Sequence, residues 1–390
     1  MEQQLGSGVR HLFLLEEGTA FTNHGSYGTV PKKVMEERFR LLSLMDSHPD
    51  KWYRNTLRPL YNKAVENLAK FVGSDPNNLV FVPNATAAVN TVVKNLNLGP
   101  EDIILSNSHT YNACSNAIES AVKRCGADTL SLDITLPIRS EDDFIEQVVE
   151  ICRRNVGIRL AVIDHISSPS AIVFPVAKLA KELHKLGVLL LVDGAHAPGQ
   201  LPLNLENIGA DFYTGNLHKW CYAPRGCAFL WVAPEHRDRI QPLITSHLYK
   251  KDMVDQFFMQ GCMDHTPYLC SVPALQFYDQ LGGYKKLLEH TQPLLDWAQQ
   301  MLCHALATPV LPVPPDMVAP FMRVLRLPAS DKYGLSRDDA ERFMDDLSRE
   351  YGAVAVITCF SGHLWLRISA NAYNCKEDYL ELKEVLLKCL

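Results

Sequence analysis

Between residues 191 and 220 the chain reads LVDGAHAPGQLPLNLENIGADFYTGNLHKW. One apolar run delivers an acid, Asp193, followed closely by His196. A second delivers Asn216, His218 and Lys219. Alone, an acid after a strand is most often a turn or cap residue, and a lone lysine is most often a solvated charge. Their joint occurrence amid apolar sequence suits another task. A desolvated lysine gives up its proton more readily and becomes a nucleophile or a base. A carboxylate beside a heterocyclic nitrogen keeps that nitrogen protonated through a charge-assisted hydrogen bond. Both are needed to use a cofactor aldehyde, held as an imine by the lysine while its ring serves as an electron sink.

Such groups must be delivered to one place by the surrounding elements. Short apolar runs at 78–83, 102–107, 128–134, 159–166, 188–195, 210–216 and 226–232 read as strands, mostly separated by amphipathic helices. That alternation predicts an α/β fold with a parallel-rich sheet covered on both faces. Ligands of such sheets bind beyond the carboxyl ends of the strands. At those ends lie Asn84-Ala85-Thr86, His109 and Tyr111, His165, Ser167 and Ser168, Asp193 and His196, and Asn216, His218 and Lys219. The segment Asn84-Ala85-Thr86 on its own is a helix cap. With the rest of the rim, the Ala85 and Thr86 amides, the Thr86 hydroxyl, Asn216 and His218 form a candidate phosphate site at a helix start. Tyr111 offers an aromatic face for stacking on a ring.

Beyond about residue 260 the texture changes. Helical stretches at 272–306 lead to the proline-rich TPVLPVPPDMVAP (308–320), and strands then mix with helices to the end. A smaller α+β domain over 261–390 is expected, with residues 1–22 packed against it and 23–260 forming the large domain.

Composition excludes several classes. The 390 residues are 47% hydrophobic and 21% charged, with a formal net charge of −6. Without a basic block the chain is a poor nucleic-acid binder. It shows no signal-peptide pattern and no apolar run of membrane-spanning length, which points to the cytoplasm. The 11 cysteines are scattered without a CxxC pair, so neither a disulfide scaffold nor a metal site is expected. Most read as small buried hydrophobes. No strand runs into G-x-G-x-x-G, which disfavours a nicotinamide-binding dehydrogenase.

Several segments carry a family resemblance: FTNHGSYGTVP (21–31), PNATAAVN (83–90), HTYNA (109–113), DHISSPSAIVFPV (164–176), the 191–220 stretch, APRGCAFLWV (223–232) and LRISANAYN (366–374). In these the chain resembles pyridoxal-phosphate enzymes of fold type I, in the class V aminotransferase superfamily. The resemblance is to its isopenicillin N epimerase-like branch, which also holds cysteine desulfhydrases and C–S lyases. It implies a seven-stranded, mostly parallel sheet between helices, a smaller C-terminal domain and a homodimer. The cofactor it implies is pyridoxal 5'-phosphate, with Lys219 as the imine-forming residue and Asp193 at the ring nitrogen. His196 and Ser168 would lie near the ring hydroxyl, Tyr111 on the ring face, and Ala85, Thr86, Asn216 and His218 at the phosphate. Arg367 would clamp the substrate carboxylate, with Asn23 and Arg54 on the substrate side. Tyr53 is a further candidate there.

The sequence departs from the family once. Relatives often carry a threonine that reaches the phosphate of the neighbouring subunit. Here Cys262 stands at that position, and a thiol is the weaker donor.

The shared machinery is compatible with elimination, epimerisation and transamination. A persulfide-forming desulfurase needs a mobile cysteine thiolate, yet residues 304–358 contain no cysteine and Cys359 sits in a strand-like run. The expectation is therefore a lyase that releases sulfur from a sulfur amino acid or its conjugate by β-elimination. The alternatives are an epimerase or aminotransferase, or a catalytically silent binding homologue.

Overall fold

The computed structural model describes residues 4–390. Its strands are β1 (Ala20–Phe21), β2 (Leu79–Val82), β3 (Ile103–Asn107), β4 (Asp128–Leu132), β5 (Ile158–Asp164), β6 (Leu189–Asp193), β7 (Phe212–Asn216), β8 (Ala228–Val232), β9 (Met322–Arg326), β10 (Ala353–Val354), β11 (Val356–Phe360) and β12 (His363–Ser369). Seven form one sheet in the order β2-β8-β7-β6-β5-β3-β4. The run β7-β6-β5-β3-β4 is parallel throughout. β8 is antiparallel to both β7 and β2, so β2 points the same way as the parallel strands. Their carboxyl ends therefore share one rim.

The central strands are apolar on both faces because helices cover both. In β5, Leu160 and Val162 pack with Val89 and Ile118 of the helices Ala85–Asn95 and Asn112–Cys125, whereas Ala161 and Ile163 face the opposite core. This period-2 alternation decides which face each rim side chain occupies. The covering helices carry local start and stop signals. Asn84 Oδ1 accepts the Ala87 amide at 2.8 Å, Ser140 caps Glu141–Arg154, and Gly73 and Gly126 end their helices in the left-handed conformation.

A three-stranded antiparallel sheet, β11-β12-β9, forms the C-terminal region with its own core, including Leu295, Phe343, Leu366 and Leu386. β1 pairs with β10, and Arg10 bridges to Asp378 at 3.0 Å, which ties the N-terminal segment to this region. Arg367 rides on the central strand β12. Its placement opposite the large sheet creates a cleft of about 900 Å³ between the two regions.

Candidate active site

Each strand of the rim hands over one element of the site. Asp193 ends β6 and is buried, its Oδ1 accepting the Ala195 amide at 3.0 Å and its Oδ2 the Cys114 thiol at 3.2 Å. Gly194 follows because the chain passes directly over Tyr213: a Cβ there would lie 2.4 Å from that ring. Lys219 sits in the short helix Leu217–Trp220 after β7, with Nζ 2.9 Å from His196 Nε2.

This lysine–histidine contact has a defined polarity. The Trp220 indole can only donate, and its Nε1 lies 3.4 Å from His196 Nδ1, so Nδ1 accepts. In the neutral ring the proton is then on Nε2, which donates to an unprotonated Lys219 amine. Both pKa directions agree. Burial drives His196 well below its usual value, which keeps the ring neutral. Burial, then the nearby Arg367 guanidinium, lowers Lys219 to about 8. Acylation of Lys219 in the cofactor-free protein by an amine-selective reagent should rise about tenfold per pH unit and level off near pH 8. A plateau near the ordinary lysine value would contradict this environment.

Lys219 is also held from its backbone. His24 Nε2 donates to the Lys219 carbonyl at 2.7 Å, while His24 Nδ1 accepts the Tyr373 hydroxyl at 2.8 Å. Gly28, at φ +65°, lets the same segment press against the lysine helix: a Cβ there would meet the His218 carbonyl oxygen at 2.0 Å.

At the helix start after β2, the Ala85 amide already donates to Asn216 Oδ1 at 3.0 Å, and the Ala87 amide is taken by Asn84. The Thr86 amide is left between them for an anion. Ala85 and Asn216 thus shape the site through their mutual bond. His218 Nδ1 donates to the Cys227 carbonyl at 3.0 Å, which leaves Nε2 as an acceptor in the neutral ring. Burial and Lys219 lower His218 to about 4, so donation to a phosphate requires the second proton that a dianion's field favours.

Arg367 is 2% exposed and contacts only neutral acceptors. Nη1 reaches the Ser168 carbonyl at 2.6 Å and its hydroxyl at 3.2 Å; Nη2 reaches Asn23 Oδ1 at 3.2 Å and Ser26 Oγ at 3.1 Å. No carboxylate pairs with it among the described residues, and burial pulls it down to about 10. A buried guanidinium without a counter-ion is a ready site for a carboxylate. Tyr111, 48% exposed, lines the same cleft with Asn23, Tyr27 and Ser168.

Two further residues lie outside this rim within the same chain. Arg54 is 77% exposed in its side chain and pairs with Asp50 at 3.2 Å, away from these groups in its own chain. Cys262 is exposed near Tyr53, whose hydroxyl donates to the Met263 carbonyl at 3.1 Å. Cys359 is less buried than a core thiol, since it lines the cleft from β11; burial nevertheless raises its pKa, which disfavours a nucleophilic thiolate. His24, Trp220, Cys114 and Asp164 were not singled out from sequence. Their roles depend on contacts across the fold, although His24 lies within the conspicuous HGSYG.

These donors fit pyridoxal phosphate. A buried acid, a desolvated amine and a helix start offering an unpaired amide lie on one rim, as the ring nitrogen, the aldehyde and the phosphate require.

The chain is similar to known proteins along nearly its whole length. Over 96% of this chain and 83% of its own length, a putative L-cysteine desulfhydrase of Oryza sativa subsp. japonica is 27% identical. The hercynylcysteine sulfoxide lyase of Schizosaccharomyces pombe is 26% identical over 98% of this chain and 97% of its own. Isopenicillin N epimerase of Streptomyces clavuligerus is 29% identical over 97% and 96%. Among solved structures, the cystine C–S lyase C-DES with its product cysteine persulfide superposes with a TM-score of 0.80 at 17% identity, covering 95% of this chain and 97% of that one. The family profile for class-V aminotransferases matches residues 31–267, more than half of the protein. The chain belongs to the class-V aminotransferase family.

Proposed function

We propose that this protein is a pyridoxal-phosphate-dependent carbon–sulfur lyase acting on cysteine or an S-substituted cysteine. The observation that carries the reading is Arg367, a buried cation with only neutral partners among the described residues, close enough to Lys219 to lower its pKa. An amino acid whose carboxylate engages Arg367 is thereby brought toward the lysine amine. Bound pyridoxal phosphate supplies the electron sink for the substrate Cα. Asp193 holds the proton on the ring nitrogen, and Cys114 and the Ala195 amide fix that carboxylate. Lys219 takes the Cα proton, with His196 Nε2 holding its amine in place. The Cβ–S bond then breaks with its electron pair going to sulfur, and the three-carbon product leaves to hydrolyse to pyruvate and ammonia. Tyr111 would cover the ring face, and Thr86, Asn216 and His218 would hold the phosphate.

Elimination is favoured over persulfide transfer because the cleft thiol, Cys359, is fixed in strand β11 with its Sγ donating to the Leu335 carbonyl at 2.6 Å, rather than carried on a mobile loop. The desulfhydrase and sulfoxide lyase relatives point the same way. A cleft of about 900 Å³ leaves room for a sulfur substituent larger than hydrogen. The epimerase relative supports the second reading, in which the proton returns to the opposite face of Cα.

The test is a substrate series of L-cysteine, L-cystine and S-alkyl-L-cysteine sulfoxides, with pyruvate as the readout. Pyruvate formed catalytically from at least one member supports the lyase; inverted amino acid without pyruvate sinks it. Arg367→Ala should raise KM for the active member by about 30-fold or more, because truncating one partner of a buried charge pair costs about 2–5 kcal/mol. An unchanged KM would place the carboxylate elsewhere.

The reading extends to assembly and location. Phe39, Leu44, Leu243, Ile244 and Tyr249 are exposed apolar side chains, which supports a homodimer in which Arg54 and Cys262 face the partner's site. The free cysteines suit the reducing cytoplasm. No helix among the described residues is long and apolar enough to cross a membrane. Residues 23–260 form the cofactor-binding unit in this reading, and 261–390 the small domain joined by 1–22.

A further inference from the structure

Asp164 closes β5 as Asp193 closes β6, and the two are register partners in neighbouring parallel strands. Alternation along each strand puts both carboxyls on the face of Leu160, Val162 and Leu191, with backbones about 4.8 Å apart. Each is 3% exposed. Both Asp193 oxygens are engaged, by the Ala195 amide and the Cys114 thiol. Asp164 Oδ2 is buried with no hydrogen-bond partner. The proposed mechanism gives this second acid no task.

Two adjacent buried carboxyls cannot both remain ionised. Asp193 is the better anion, since two donors already serve it. An ionised Asp164 would combine an unsolvated oxygen with a like charge beside it. A proton on Asp164 removes both penalties and turns the orphaned oxygen into a potential donor.

We propose that Asp164 keeps its proton at neutral pH and acts as a positioning residue, the neutral member of an acid pair that leaves Asp193 as the single negative charge at the cofactor nitrogen. The groups that interact electrostatically with this pair are Cys114 from the helix Asn112–Cys125 and Lys219 from the rim, with Tyr213 of β7 and Tyr111 of the cleft sensing Asp193. Burial first, and the Asp193 charge second, hold Asp164 well above the usual carboxylate range. Its neutrality has a consequence for Lys219. An ionised Asp164 adds a second negative charge that favours the charged lysine, so the free amine is best supplied while Asp164 stays protonated.

The test is infrared difference spectroscopy on the purified holo-protein at neutral pH, in H2O and D2O, comparing wild type with Asp164→Asn. A protonated-carboxyl C=O band that shifts in D2O and is lost in Asp164→Asn is expected. Absence of that band from the wild type overturns the proposal. Asp193→Asn provides a second arm that does not depend on the folding of the first variant. With the like charge removed, Asp164 ionises more easily, so its band should persist at neutral pH but disappear at a lower pH than in wild type, by about one unit or more. A disappearance unmoved from wild type would mean that the two acids are not a pair. Neither arm requires turnover, so failure here is distinguishable from failure of the lyase reading.

Discussion

Replacing Lys219 by alanine should reduce turnover to below about one-thousandth of wild type, since a positioned acid–base group contributes about 10²–10⁴-fold and this one also attaches the cofactor. The loss should be chemical rather than structural. Lys219 is held through its backbone carbonyl by His24 and through its neighbours Leu217 and Trp220, which are buried. Alanine keeps all of these contacts. The variant should therefore fold, with a thermal midpoint close to wild type, while the visible band of lysine-attached cofactor is absent. Absorbance spectra before and after borohydride treatment, with peptide mapping of the reduced protein, measure this. A reduced label on another lysine, or retained turnover, would remove Lys219 from the centre of the mechanism.

Asp193→Ala comes second. Its carboxylate is buried and held by two donors, so it is oriented before any ligand arrives. A hydrogen bond to a charged group contributes about 1.5–3 kcal/mol, and losing it should weaken cofactor binding by about 10- to 150-fold. Exchange of the substrate Cα proton should slow further, by about 10²-fold or more, because the ring nitrogen no longer keeps its proton where negative charge develops. Cofactor titration and Cα-proton exchange by NMR separate the two effects. Unchanged values in both would reduce Asp193 to the strand-end turn residue that its position alone suggests.

The rim at which these residues meet was legible because strand endings are local. The apolar runs up to Asp193 and Asn216 set both their burial and their side of the sheet, and placing the ends together needed only a parallel sheet. Reversal of β8 was not legible: GCAFLWV is as apolar as any parallel strand here, and apolarity carries no direction. The support of Lys219 was hidden for another reason. His24 reaches its carbonyl across 195 residues of sequence, and Tyr373 completes that contact from the far end of the chain. Arg54 shows the converse limit. Its residue type suits an anion, but within its own chain the exposed side chain pairs with Asp50 at 3.2 Å, so its approach to a substrate depends on the proposed dimer. The bond from the Ala85 amide to Asn216 was hidden because it joins a helix start to a strand end far away in sequence.

The most direct measurement is to supply the pyridoxal-phosphate-loaded protein with excess L-cysteine, and separately with an S-alkyl-L-cysteine sulfoxide. Pyruvate and the released sulfur species are counted against enzyme, alongside the configuration of the remaining amino acid. Equal amounts of pyruvate and sulfur product, over many turnovers and without inversion of the unreacted substrate, are the expected result. Inverted amino acid, or a keto acid that retains its sulfur, in place of those products would contradict carbon–sulfur cleavage and assign the same residues to epimerisation or transamination.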